Sequence, residues 1–217
     1  MRLVDLTQPL RSGMPVYPGD PEVAVGPASD VAADGVAVSY LRLGSHTGTH
    51  LDAPAHVIAG GRTVDRIPLD RLCGPARVLR IEAGPGERIG IADLPALPRR
   101  LPRIVCVASG WDRAFGQETA LRHPHLGLEC AEELWARGAR VLAVDTMSPD
   151  ASWPPGASDL PVHRFWLGGD GVIVENLTRL TELPETAEVC FLPLLIAGGD
   201  GAPVRAFARA APVRQQR

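Results

Sequence analysis

The chain has 217 residues, enough to bury one substantial core, and reads as a single domain over 1–217. Hydrophobic residues make up 45% and charged residues 22%, the balance of a folded globular protein rather than a disordered one. The formal charge of -3, with acidic and basic residues intermixed, offers no basic stripe to a phosphate backbone, so no nucleic-acid partner is expected.

The opening string MRLVDLTQPLRSG carries Asp5 and Gln8 where the apolar stretch of a secretion signal would sit. The best apolar run, around residues 189–197, is interrupted by Pro193. A cytoplasmic protein with no signal peptide and no membrane partner is expected. The string MPVYPGDP at 14–21 cannot be helical, because each proline pushes the residue before it out of the α region. Val36, Val38, Tyr40 and Leu41 predict a strand running from Gly35 toward Gly44. Another strand is expected at 76–81, after a Gly74-Pro75 turn. Pro95, Pro98 and Pro102 punctuate a loop, and IVCVA at 104–108 is a short apolar run of the buried-strand kind.

The clearest helix spans 128–137, where Leu128, Ala131, Leu134 and Trp135 keep helical spacing and Gly138 supplies a stop. Residues 141–144 then read as a buried strand, so helix and sheet form adjoining layers. Asp159 is placed to cap a shorter helix, with Pro161 in its first turn and Gly168-Gly169 at its end. Strands at 172–175, 188–195 and 204–208 complete one α/β domain with mixed strands. The four cysteines, Cys73, Cys106, Cys130 and Cys190, are widely spaced without a CxxC pair. Buried reduced thiols are expected, not a disulfide or a thiolate zinc site.

The string SHTGTHLDAPAH at 45–56 holds three of the six histidines and one carboxylate. His46, His50, Asp52 and His56 all fall on even positions, so an extended chain can project them to one side. A helix there would contain Gly48, β-branched Thr47 and Thr49, and a residue restricted by Pro54, so an extended or irregular ligand loop is expected. Imidazoles with a carboxylate suit Zn²⁺ or Mn²⁺ and leave positions open for water. The bland alternative is a hydrogen-bonded polar loop without metal. Glu175 ends the apolar run Val172-Ile173-Val174, where an unpaired carboxylate is costly to bury, so a cation or a surface position is expected for it. His123 and His125 read as exposed or structural loop residues without a role. There is no GxSxG, HExxH or phosphate-binding loop to supply a rival chemistry.

The string HTGTHLDAPAH resembles the HxGTHxDxPxH signature of the cyclase-like metal hydrolases, which include bacterial kynurenine formamidases and isatin hydrolases. Tyr17-Pro18-Gly19-Asp20, residues 61–80, Ser109-Gly110-Trp111-Asp112, Val144-Asp145-Thr146, Val174-Glu175-Asn176-Leu177 and residues 199–205 are similar to that family's strings in the same order. The resemblance implies that His46, His50 and Asp52 bind a first metal, and that His163 and Glu175 complete a two-metal site, with Asp52 and Glu175 able to bridge. It implies His56 as the proton shuttle beside hydroxide generated on one or two zinc ions, or manganese in their place. It further implies a swivelling β/β/α fold with a mixed sheet and few helices, and a homodimer or homotetramer. Tyr17 stands where the kynurenine formamidases usually present a tryptophan to an aromatic substrate; its alternative role is packing on the neighbouring prolines. Asp20, Asp145 and Arg205 read as turn or salt-bridge residues. An arylformamide such as N-formylkynurenine is the expected substrate, with an isatin-like lactam or a lactone as the alternative, and a non-catalytic metal- or ligand-binding module as a reading from another class.

Overall fold

The structure is a computed structural model and describes residues 2–154 and 159–210. In chain order its strands are β1 (Arg2–Asp5), β2 (Ala24–Ser29), β3 (Val38–Arg42), β4 (His50–Asp52), β5 (Cys73–Arg80) and β6 (Arg88–Ile89). They continue with β7 (Ile104–Ala108), β8 (His125–Leu126), β9 (Val141–Val144), β10 (Val172–Glu175), β11 (Thr186–Pro193) and β12 (Gly201–Ala210). The helices are α1 (Val31–Asp34), α2 (Leu128–Ala136) and α3 (Pro161–Gly168). The balance is a sheet-dominated mixed α/β fold with few helices, as the sequence predicts.

Eight strands form one sheet in the order β1-β12-β11-β5-β7-β9-β10-β4, with β5, β7, β9 and β10 mutually parallel and the other pairings antiparallel. β4 also pairs with the first residues of β12, Gly201 opposite Asp52, so the sheet curls until its far edge meets its own second strand. Gly201 permits this closure. A Cβ there would lie 2.7 Å from the Leu51 carbonyl oxygen and 2.8 Å from the His46 ring.

The central parallel strands are buried on both faces, which explains why they read as continuous apolar runs. Ile104, Cys106, Val141, Ala143, Val172 and Val174 face the interior of the curled sheet together with Leu51 and Phe191. Their alternates Val105, Val107, Leu142, Val144 and Ile173 face outward, under Leu134 of α2 and Val162, Trp166 and Leu167 of α3. Period-two alternation thus divides each strand between two cores.

Several expectations change in detail. β5 begins at Cys73, so Gly74-Pro75 lies inside a strand rather than in a turn. Among the described residues β3 pairs only with β2, and all five of its residues are exposed. Asp159 does not cap α3. Leu160 occupies the N-cap with a left-handed backbone and no side-chain cap, while the buried Asp150 carboxylate accepts from the backbone N–H of Val162 at 2.8 Å and of His163 at 3.0 Å. Cys106 and Cys130 are buried as expected, but Cys73 and Cys190 are partly exposed. Among the described residues no helix is long and apolar enough to cross a membrane.

Candidate metal centre

The extended parity argument holds only for His50 and Asp52, which leave β4 on one side while Leu51 enters the core. His46 arrives from the turn before the strand, and His56 from the 3-10 turn Pro54–His56 after it. Antiparallel pairing sets Glu175 of β10 opposite His50. α3, docked over β10, brings His163 to the same place.

Backbone and carboxylate acceptors select the nitrogen that each imidazole presents. His50 donates its Nδ1 hydrogen to the Gly48 carbonyl at 2.9 Å, which turns Nε2 toward Asp52 Oδ1 at 3.3 Å and Glu175 Oε2 at 3.2 Å. His163 donates from Nδ1 to Asp150 Oδ2 at 2.7 Å, leaving Nε2 3.2 Å from Glu175 Oε1 and 3.5 Å from Asp52 Oδ2. His46 is engaged at both nitrogens, Nδ1 on Asp52 Oδ1 at 2.6 Å and Nε2 on Asp200 Oδ2 at 2.9 Å. The centre of the His56 ring lies 4.0 Å from that of His46, the two planes tilted by 39°, with its Nδ1 3.6 Å from Asp200 Oδ2.

The charges in this cluster hold one another. Burial pulls His50 down, but the Asp52 charge and the close carboxylates of Asp52 and Glu175 outweigh it and hold the ring well above its ordinary value. Burial acts likewise on His163 and is outweighed by its hydrogen bond to Asp150 and the close carboxylates of Asp52 and Glu175. Burial would raise Asp52, yet the His50 charge, the close rings of His163 and His50 and the hydrogen bond from His46 hold it well below the usual carboxylate range. His56 differs: burial pushes it below its ordinary value.

Three atoms decide what the cluster fits. His50 Nε2, Asp52 Oδ2 and Glu175 Oε1 are buried, and among the described residues they have only the 3.2–3.5 Å charge contacts given above, none of them an aligned hydrogen bond. Leaving such atoms unsatisfied costs on the order of 1–3 kcal/mol each, and more where they are charged. His50, Asp52 and Glu175 offer ligand atoms within 4.8 Å of one another, and so do His46, Asp52 and His56. An imidazole–carboxylate set of this kind matches a borderline-to-hard divalent cation, so the residues fit the metal that the sequence implies.

Above the cluster opens a cavity of about 400 Å³, within the usual size for a small-molecule site. Tyr17, Phe115, Met147 and Leu160 supply its apolar wall, and His46, His50, His56, His163 and Glu175 face it from below. The structure therefore gathers every predicted site residue at one place, with Asp52 buried beneath. Sequence reasoning missed Asp150 and Asp200 as partners of the histidines, and missed Phe115 and Met147 as wall residues. Asp200 lies in a family-like string, the one signal that could have found it; Asp150 gave none. Asp20, read as a turn residue, also lines the cavity, where burial raises its carboxyl. Arg205 pairs with Asp5, and Asp145 accepts from Ser109 and Gly110, both as structural roles. Of the two readings for His123, exposed or structural, the second holds: it is buried and bonds the Pro124 carbonyl at 2.9 Å and the Ser152 hydroxyl at 2.8 Å.

The curled mixed sheet and its histidine–carboxylate pocket define the class, a sheet-rich α/β enzyme with a candidate metal centre. The chain belongs to the Cyclase family, whose model matches residues 4–151. It is 34% identical over 218 residues to a kynurenine formamidase of Salinibacter ruber, an alignment covering 98% of this chain and 99% of that one. A kynurenine formamidase of Maricaulis maris is 33% identical, with 97% and 99% covered. Among solved structures, isatin hydrolase A from Ralstonia solanacearum superposes with a TM-score of 0.84 at 26% identity, covering 97% of this chain and 92% of that one. The chain is thus a cyclase-family hydrolase.

Proposed function

We propose that the chain hydrolyses a small arylformamide, of which N-formylkynurenine is the model substrate, adding water across the C–N bond to give formate and an arylamine. The observation that carries the metal-dependent reading is the convergence of three buried, unsatisfied ligand atoms from His50, Asp52 and Glu175 beneath a half-apolar cavity. His46, His50 and Asp52 would hold one ion and His163 and Glu175, with Asp52, a second; Zn²⁺ is the first choice and Mn²⁺ the alternative. Such a cation, when bound, supplies Lewis acidity toward the carbonyl and lowers the pKa of a coordinated water to about 7.

The remaining work belongs to the chain. Tyr17 and Phe115 offer aromatic faces that an aryl ring can stack against, which would place the amide over the cluster. Burial lowers the His56 pKa and so favours the neutral ring, which can take a proton as attack proceeds and return it to the leaving nitrogen. Asp200, 3.6 Å from Nδ1, would steady the ring while it carries the positive charge. The relatives at 33–34% identity favour an arylformamide; the isatin hydrolase likeness makes a cyclic lactam the second reading.

The test is hydrolysis of N-formylkynurenine and of isatin, each followed by absorbance, by protein loaded separately with Zn²⁺ and Mn²⁺. Chelator-sensitive turnover of the first and not the second is expected. Turnover of isatin alone would move the substrate to lactams. Bound metal with neither substrate, nor a wider lactone panel, turned over would favour a binding module.

A further inference from the structure

Cys73 and Cys190 stand directly opposite each other on the antiparallel strands β5 and β11. The ladder shows which kind of pair they form. Phe191 donates its N–H to the Leu72 carbonyl at 3.0 Å, and Val78 donates to Glu185 at 2.8 Å, both in the same register as the cysteines. Hydrogen-bonded and non-hydrogen-bonded pairs alternate along an antiparallel ladder, so Cys73 and Cys190 occupy a non-hydrogen-bonded pair. Pro75, which has no N–H, falls on the next pair of that kind, opposite Glu188, as the alternation requires. Cα atoms at such a pair lie about 4.5 Å apart. That is inside the range of roughly 4.4–6.8 Å that a disulfide spans.

Both side chains leave the sheet on the face away from Val189 and Phe191, which enter the inner core, and both remain partly exposed. Cys106 and Cys130 are buried and out of this arrangement. The two facing thiols also sense each other: burial, then the hydrogen bond and charge of Cys73, push the Cys190 thiol up to about 12.

We propose that Cys73 and Cys190 are a redox-active pair that closes to a reversible cross-strand disulfide by exchange with a small-molecule disulfide. The Cys73 thiolate attacks one sulfur of the small disulfide, forming a mixed disulfide and expelling one thiolate. Cys190 then loses its proton to solvent and displaces the second thiol from the Cys73 sulfur. The small disulfide is reduced to two thiols, which take up the two protons the cysteines lose, and the two cysteines are oxidised to one cystine. The bond ties β11, which leads into the turn bearing Asp200, to β5 across a long loop of chain. Oxidation should therefore raise the thermal midpoint.

The full-length protein would be equilibrated with oxidised and reduced glutathione in graded ratio, trapped by alkylation after unfolding, and weighed intact and as peptides. The expected product lacks two hydrogens, links the peptides bearing Cys73 and Cys190, leaves Cys106 and Cys130 alkylated, and reverts with reductant. Cys73→Ser and Cys190→Ser should each accumulate a glutathione adduct on the surviving cysteine instead. Four alkylatable cysteines at every ratio, a lasting adduct on the unsubstituted chain, or linkage only between copies would overturn the proposal.

Discussion

Asp150 accepts three hydrogen bonds, from the backbone of Val162 and His163 and from His163 Nδ1, and it is buried while doing so. One carboxylate thus starts α3 and selects the ring nitrogen that His163 presents to Asp52 and Glu175. Partners of this kind are typically worth 10–100-fold in metal affinity. Asp150→Ala should weaken zinc binding by about that factor, read by competition with a chromogenic chelator, with Asp150→Asn falling between because one acceptor survives. Unchanged affinity in Asp150→Ala would remove the positioning role. At His56 the expected split is different: His56→Ala should keep its metal and lose roughly 10²–10⁴-fold in turnover. Since His56 also lies within ligand reach of His46 and Asp52, a loss of stoichiometric metal would make it a ligand instead of the shuttle. The first four site residues were legible because eleven consecutive positions hold them, whereas Asp150 and His163 are thirteen residues apart and meet only because a helix start folds back on a buried loop. Asp159 looked like the cap because it stands beside the helix in sequence, a cue that says nothing about a carboxylate arriving from farther away.

At the level of elements, the apolar strands β7, β9 and β10 and the helix α2 could be read from periodicity, because two-sided burial and an amphipathic face leave local signals. The β4–β12 closure could not, since Asp52 and Gly201 are joined by pairing that no local pattern encodes. Asp145 shows what such joints cost. It ties the end of β9 to the turn after β7, accepting from Ser109 N at 3.1 Å, Ser109 Oγ at 2.6 Å and Gly110 N at 2.7 Å. The segments that follow these strands carry Met147 and Phe115 to the cavity. Burial outweighs the three donors and pushes the Asp145 carboxyl from 3.8 up to about 6. The folded state then keeps a proton that the unfolded state has already lost, so this contribution is complete below about pH 4 and disappears as the pH rises through 6. The fall amounts to roughly 2–3 kcal/mol at most. Denaturant unfolding across pH 4–7 should show Asp145→Asn, which cannot ionise, losing less stability over this window than the unsubstituted chain. A gap between the two that does not change with pH would show that Asp145 does not titrate there.

For the whole molecule, the outlying β2–β3 hairpin is the part that the main sheet leaves unexplained. A two-stranded ribbon is at best marginally stable in water without a surface to pack on. Here Val38, Tyr40 and Leu41 on β3 are half or more exposed, as are Val36 before it and Val31 in α1. A clustered apolar surface of this kind marks an interaction face. The same N-terminal region contains the 15–20 string that lines the cavity, so what covers the hairpin bears on the site. We propose a second copy of the chain as the cover, in keeping with the homodimer that the family resemblance implies; a closed two-fold pairing buries the same face on both copies. Light scattering on the eluting protein at micromolar concentration should give twice the chain mass. Tyr40→Asp with Leu41→Asp places charge where apolar contact is needed and should shift the mass to one chain, while the buried cluster from His50 to Glu175 still takes up metal. A monomer in the unsubstituted protein would rule the pairing out, and a dimer that survives both changes would place the interface elsewhere.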